Sequence, residues 1–109
     1  MRHDKNIEEQ VDRLISQWRG IGKKKMFGGI CYLLNGNMCF GIHKDYLIVR
    51  TGKEKAEEKL KLKHTKPFDI TGKAMKGWVM VEGAGCKKDG DMKEWIELGR
   101  SFAKTLPQK

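Results

Sequence analysis

Three cysteines and three histidines are the residues of this 109-residue sequence that could supply a nucleophile or a metal ligand. Tetrahedral zinc usually takes its ligands in close pairs, and neither Cys31, Cys39 and Cys86 nor the scattered histidines have that spacing. We therefore expect no metal and no other cofactor. The odd number of cysteines, with no secretory signal at the N-terminus, predicts reduced thiols in the cytoplasm.

Two of the thiols have basic neighbours that bear on reactivity. Cys39 shares a predicted strand face with His43 and Arg50, and such neighbours can lower the pKa of a thiol. A cysteine in a strand is more often a small buried hydrophobic residue, and we favour that interpretation. Cys86 follows a glycine and precedes two lysines in a predicted loop, which makes it the better candidate for an exposed thiol.

Neither a serine nucleophile nor a phosphate loop is indicated. Ser16 and Ser101 fall in predicted helices and not on the sharp turn of a nucleophile elbow. The glycine- and lysine-rich stretch 20–29 follows a helix and precedes a strand, so no helix N-terminus faces it. We interpret this stretch as a structural connection, assign no catalytic residue and predict that the protein is not an enzyme.

The charge balance is strongly basic. Lys+Arg 23 minus Asp+Glu 14 gives a formal net charge of +9, and Arg19, Lys23, Lys24 and Lys25 cluster without an intervening acid. Lysines can neutralise phosphates without reading sequence, yet no recognition helix or RNA-binding aromatic motif accompanies them. Two interpretations stay open, a solvated surface and a nucleic-acid-binding patch.

The elements that would position these residues follow from periodicity and turn signals. Apolar residues at helical spacing after Asn6 predict a first helix over residues 6–19. Strands are predicted at 30–34, 37–43 and 46–50, joined by two-residue turns at Asn35-Gly36 and Lys44-Asp45. The capping-box pattern Thr51-Gly-Lys-Glu54 predicts a helix over 53–61. Strands over 67–70 and 77–82 and a last helix capped by Asp91 complete the chain.

The resulting order α-β-β-β-α-β-β-α predicts one α+β domain over residues 1–109, an antiparallel sheet covered on one face by helices. Hydrophobic residues at 39% and charged residues at 34% exclude both a disordered chain and a membrane protein. The longest apolar run, Ile30–Leu34, is far below the ~20 residues that span a bilayer.

Strand parity sorts the side chains of the predicted meander into two faces. If both turns contain two residues, the helices cover Cys31, Leu33, Met38, Phe40, Ile42, Leu47 and Val49. The other face then carries Ile30, Tyr32, Leu34, Asn37, Cys39, Gly41, His43, Tyr46, Ile48 and Arg50. Tyr32, Tyr46 and Ile48 on this mixed face would form an exposed apolar patch of the kind that marks a dimer or partner surface.

The spacing of the larger apolar residues favours packing over ligand binding. Trp18, Trp78 and Trp95 lie at strand and helical spacings, so we predict core packing in preference to a ligand pocket. Gly99 interrupts the apolar stripe of the last helix at a cost of ~1 kcal/mol relative to alanine. We expect a close backbone contact to compensate for it.

Several of these turns and core positions together resemble the TfoX (Sxy) N-terminal domain family. The resemblance runs from the first helix to Leu106 and is carried by Met26-Phe27-Gly28-Gly29, Leu34-Asn35-Gly36, Tyr46-Leu47-Ile48-Val49, Lys66-Pro67-Phe68 and Trp95. It implies a two-layer sandwich like that of secretion chaperones and YjbR-type proteins. Full-length members join this domain to a C-terminal helical domain and are associated with natural competence, alongside a cyclic-AMP-dependent transcription activator. The resemblance supplies no catalytic motif.

Two functions are therefore carried forward. The leading hypothesis is a stand-alone, non-catalytic protein-interaction or regulatory module, linked by the resemblance to transcription regulation. It would bind a protein partner or a second copy through Tyr32, Tyr46 and Ile48. The alternative is a basic nucleic-acid-binding accessory protein that uses Arg19, Lys23, Lys24 and Lys25.

Overall fold

A six-stranded antiparallel sheet forms one layer of the structure and four helices form the other, in the part of the chain that the computed structural model describes, residues 5–26, 29–68 and 77–107. The elements are α1 Lys5–Leu14, β1 Ile21–Met26, β2 Gly29–Leu34, β3 Asn37–His43, β4 Tyr46–Arg50, α2 Lys53–Lys59, β5 Thr65–Pro67, β6 Trp78–Glu82, α3 Gly83–Cys86 and α4 Asp89–Lys104. The strands are arranged β1-β2-β3-β4-β6-β5. The predicted fold class, an α+β sandwich with one covered sheet face, is confirmed.

The element order differs from the prediction at two places. The first helix ends at Leu14 and not at residue 19, and the stretch expected to be a connection forms strand β1. Glycine and lysine are poor strand formers, so Gly22 and the three lysines of β1 gave no strand signal. The short helix α3 covers Gly83–Cys86, where no helix was predicted.

The boundaries of the later elements also shift. Helix α2 is capped by Gly52 with φ 87° and has no side-chain cap, so the capping role predicted for Thr51 is wrong. Strand β5 covers Thr65–Pro67 and precedes the predicted 67–70; residues 69–76, including the predicted turn, lie outside the described residues. Helix α4 begins at Asp89, two residues before the predicted cap.

Both predicted hairpin turns are present. Asn35 and Gly36 have φ values of 53° and 84°, the positive pair that a type I′ turn requires. Leu34 pairs with Asn37 across this turn, and His43 pairs with Tyr46 across the next.

A β-bulge at Cys39 changes what these turns position. Leu33 pairs with Met38, but Tyr32 pairs with Phe40, so Cys39 is an extra residue on β3. Because side chains alternate with period two, one inserted residue moves every position on its turn side to the opposite face. Relative to residues 40–43 of β3, every side chain of β2 therefore points to the face opposite the predicted one.

The core shows this reversal directly. Four predicted core residues beyond the bulge, Phe40, Ile42, Leu47 and Val49, are 0–1% exposed and belong to the core cluster, as predicted. Residues predicted on the mixed face, Ile30, Tyr32, Leu34 and Cys39, also belong to that cluster. The prediction that Cys31, Leu33 and Met38 face the helices is wrong, because the bulge places them on the other side of the sheet.

All four helices contribute to this one core. Val11 of α1, Ala56 of α2, Cys86 of α3 and Ile96 of α4 belong to the same cluster. None of the helices in the described ranges is long and apolar enough to cross a membrane.

Helix α4 approaches the bulge so closely that a glycine is required there. A Cβ on Gly99 would lie 2.3 Å from the carbonyl oxygen of Cys39, inside van der Waals contact with the backbone. The expectation that a close backbone contact compensates for Gly99 is confirmed.

A bidentate ion pair ties α1 to the start of α4. Arg13 donates from both terminal nitrogens to the Asp89 carboxylate at 2.9 and 3.0 Å, and Gln10 donates to Asp89 Oδ1 and to the Lys87 carbonyl. The Arg13 and Asp89 side chains are more than half exposed, so the pair fixes geometry more than it adds stability.

We expect Asp89→Asn to lower the urea midpoint of unfolding at pH 7 by more than Asp91→Asn, which removes the same charge from the same turn. The hydrogen bond from Arg13, and then that from Gln10, lower the pKa of Asp89. The stabilisation is therefore present above the unfolded-state pKa of ~3.9 and is lost as the pH falls through the lower folded-state value. Midpoints measured from pH 7 downward should converge in acid, and equal effects of the two variants at pH 7 would exclude this role.

Candidate interaction surface

The sheet face opposite the core is called here the open face. Cross-strand register places one row of residues on it, in the order Lys24, Cys31, Gly41, Ile48, Met80 and Lys66. The sequence neighbours of Cys31, Gly41, Ile48 and Met80 belong to the core cluster, so by alternation this row points away from the helices. The open face is thus defined by strand register and not by exposure alone.

The centre of the open face is almost fully buried. Cys31, Ile48 and Met80 are only 5%, 4% and 7% exposed although they lie outside the core cluster. Met38 reaches over Gly41, where a Cβ would come within 2.8 Å of its terminal methyl carbon. The predicted exposed apolar patch around Ile48 is therefore absent.

A lysine and a tyrosine pair at one end of the open face. Lys66 Nζ donates to the Tyr46 hydroxyl at 3.1 Å and lies 5.1 Å from the centre of the ring. This hydrogen bond raises the pKa of Lys66. Glu82 pairs with Tyr46 across the strands, and its carboxylate lies 3.7 Å from His64 Nδ1. Tyr46 is thus partly exposed, with the Lys66 ammonium group in contact with it.

An arginine and a tryptophan form a second pair at the other end. Arg50 and Trp78 are cross-strand partners, and the guanidinium carbon lies 5.4 Å from the Trp78 ring. The guanidinium also approaches Phe102 of α4 at 5.5 Å, where the sheet ends. Phe68 packs against Trp78 with ring centres 5.6 Å apart. Each pair is within the ~6 Å range of a cation–π interaction.

Of the three residues predicted to bind a partner, only Tyr46 lies partly exposed on the open face. Tyr32 is fully buried on the core face, stacked on Phe40 at 4.9 Å, and its hydroxyl donates to Asp12 at 2.8 Å. Burial, and then the Asp12 carboxylate, raise the pKa of Tyr32. The prediction that Tyr32 belongs to a free surface is wrong, and the bulge is the cause.

The predicted basic cluster does not form one patch. Lys23 Nζ donates to Asp12 at 2.8 Å and also contacts Glu8, both on α1. Lys24 pairs with Cys31 and so lies on the open face, whereas Lys25 pairs with Ile30 on the other side. Arg19 lies in the bend before β1, so strand alternation and the acids of α1 divide these four cations.

The three cysteines, all among the described residues, form no disulfide and are buried. Cys39 donates to the Tyr32 carbonyl at 3.3 Å, and burial raises its pKa to about 12, which opposes thiolate formation. The expectation of an exposed thiol at Cys86 is wrong, since Cys86 is 0% exposed within α3. Among the described residues, no group of three or more potential metal ligands comes together.

Sequence reasoning missed Trp78, Phe68 and Lys66 as members of this surface. Alternation along the predicted strand 77–82 places Trp78 and Glu82 on the same face as Met80. No turn or other local sequence signal, however, indicates that this strand pairs with β4. Trp18 and Trp95 pack on or within the core as predicted, whereas Trp78 lies outside it.

The antiparallel sheet has every described helix on one side, and this arrangement defines the α+β class of two-layer sandwich. Aromatic and cationic side chains lie on its other side. A family model, the TfoX N-terminal domain, matches residues 13–103. The chain belongs to this family. A search among curated proteins found no match.

Proposed function

We propose that this chain is a non-catalytic interaction module that binds an acidic segment of a partner protein across its open face. The observation that carries the proposal is the pair of cation–aromatic contacts, Lys66 on Tyr46 and Arg50 on Trp78, at the two ends of one sheet face. Tyrosine, tryptophan and arginine are the residues that most often dominate the binding energy of protein interfaces.

The two pairs lie at opposite ends of β4 and β6, so the geometry suits a partner that lies along these two strands. The partner would contact the paired side chains at the two ends, since Cys31, Ile48 and Met80 between them are almost fully buried. Since the cations are already held against the rings, the unbound protein has already lost part of the side-chain conformational entropy that binding would otherwise remove.

Charge selects the kind of partner. Lys24, Lys66 and Arg50 belong to this face together with Glu82, and the chain carries a net charge of +9. A second copy would bring the same cations against it, whereas an acidic segment complements them and is steered toward them.

The proposal extends to the setting of the protein. Three cysteines that form no disulfide fit a reducing compartment, for which we propose the cytoplasm. A regulatory role linked to transcription is the version of the interaction module that the family resemblance favours. Nucleic-acid binding through Arg19, Lys23, Lys24 and Lys25 stays a prediction.

The test is selection of peptides from a random displayed library against the full chain, followed by fluorescence anisotropy with the synthesised peptides. We expect enrichment of Asp and Glu in the selected peptides, and a loss of affinity of about tenfold or more for Lys66→Glu. Lys61→Glu, an equal charge change on an exposed residue outside the open face, is the matched control.

Two results would contradict the proposal. One is equal affinity for Lys66→Glu and Lys61→Glu. The other is no selected peptide together with salt-sensitive binding of a single-stranded oligonucleotide that Lys24→Glu abolishes, which would establish the nucleic-acid alternative.

A further inference from the structure

We infer that a groove between the α2–β5 loop and helix α4 is a self-association surface, in which two copies of the chain pair about a two-fold axis. The groove has a volume of about 320 Å³ and lies on the helical side of the molecule, away from the open face. Its base is apolar, with Trp95 and Leu98 of α4 and Leu62 of the loop among the lining residues.

Leu62 is the residue that a partner would cover. It is 50% exposed, and among the described residues it is the exposed large hydrophobic side chain. The loop that carries it is ordered, because Thr65 Oγ1 donates to the Leu62 carbonyl at 2.7 Å and to the Lys59 carbonyl at 3.1 Å. Because these bonds already fix the loop backbone, the backbone around Leu62 loses little further conformational freedom on binding.

The two walls of the groove carry opposite charge. Lys59 and Lys63 line it from the α2 side, and Asp91 and Glu94, one helical turn apart, line it from α4. Lys59 Nζ lies 5.9 Å from the Trp95 ring, so the basic wall reaches over the apolar base.

This division of charge identifies the occupant as a second copy. In a two-fold interface, residue i of one copy meets residue j of the other, and j meets i. The basic wall of each copy would then face the acidic wall of its partner around a central Leu62 pair. A partner of one charge sign would meet like charge on one wall.

The net charge of +9 per copy opposes this pairing, and the opposition is partly screened at physiological salt, where the Debye length is ≈ 8 Å. The expected dimer is therefore weak and concentration-dependent, and sedimentation equilibrium of the full chain at about 0.15 M salt is the measurement suited to it.

Two charge-reversed variants test the geometry. Lys59→Glu with Lys63→Glu makes both walls acidic, and Asp91→Lys with Glu94→Lys makes both basic. We expect each variant alone to lose association by about tenfold or more, and an equal mixture of the two to associate again as a heterodimer.

The controls separate the groove from net charge and from folding. The first variant has a net charge of 9 − 4 = +5, so its loss of association cannot come from stronger overall repulsion. Lys53→Glu with Lys55→Glu on α2 gives the same +5 outside the groove and should keep association. Leu62→Ala, which changes an exposed side chain, should weaken association without altering the circular dichroism spectrum.

A wild-type chain that stays monomeric across the concentration range would overturn the inference. A mixture of the two variants that fails to associate would also overturn it, as would a control double variant that loses as much association as the groove variants do.

Discussion

Replacing Tyr32 by alanine is expected to lower the free energy of unfolding by about 3–5 kcal/mol, whereas replacing its neighbour Leu33 should cost about 1 kcal/mol. Tyr32 is fully buried, stacks on Phe40 and donates to Asp12, so truncation leaves a cavity and removes a hydrogen bond. Leu33 is half-buried and lies outside the core cluster. Urea denaturation of the two variants measures the difference.

This pair of variants also tests the bulge at Cys39. Without it, Leu33 would face the helices and Tyr32 would face solvent, so the costs would be reversed. Tyr32→Phe keeps the ring and is expected to cost about 1 kcal/mol, the typical worth of one hydrogen bond. A larger loss from Leu33→Ala than from Tyr32→Ala would show that the strands pair without the bulge.

Replacing Gly99 by alanine is expected to destabilise the protein by about 2–3 kcal/mol, although alanine is the better helix former. The added methyl group would lie 2.3 Å from the Cys39 carbonyl oxygen, which is backbone and cannot rotate away as a side chain would. Helix α4 would have to move away from the sheet and loosen its contacts with β3 and β4.

Gly90→Ala is the matched control, because it lies in the same helix with nothing within 4 Å of its added Cβ. It should be neutral or stabilising by up to about 1 kcal/mol. Thermal unfolding of both variants against wild type gives the comparison. If Gly99→Ala were as stable as Gly90→Ala, close packing of α4 on the bulge would be excluded.

What the sequence could predict was local. Asn35-Gly36 specifies its own turn because few other dipeptides adopt two positive φ angles in succession, and the turn then fixes the Leu34–Asn37 pair. Gly99 was likewise recognisable, since a glycine in an apolar helical stripe needs a compensating contact.

What the sequence could not predict depends on pairing between distant segments. The bulge inserts Cys39, which is neither a glycine nor a proline, and it reversed the face assigned to Tyr32. For the candidate interaction surface, the predicted register of β4 was correct, and alternation along β4 placed Tyr46, Ile48 and Arg50 on one face. Trp78 and Lys66 joined them only through β6 and β5, whose positions beside β4 are non-local.

The two outermost strands determine how the sheet can meet other molecules. On one side β1 offers consecutive lysines at 23–25, and on the other β5 has three residues and ends in Pro67, which has no amide hydrogen to donate. Lysine and proline at such margins disfavour the addition of a further strand from another chain. The hydrogen-bond ladder thus ends at each margin, which protects the protein from fibril-like growth and leaves the broad sides of the sandwich for recognition.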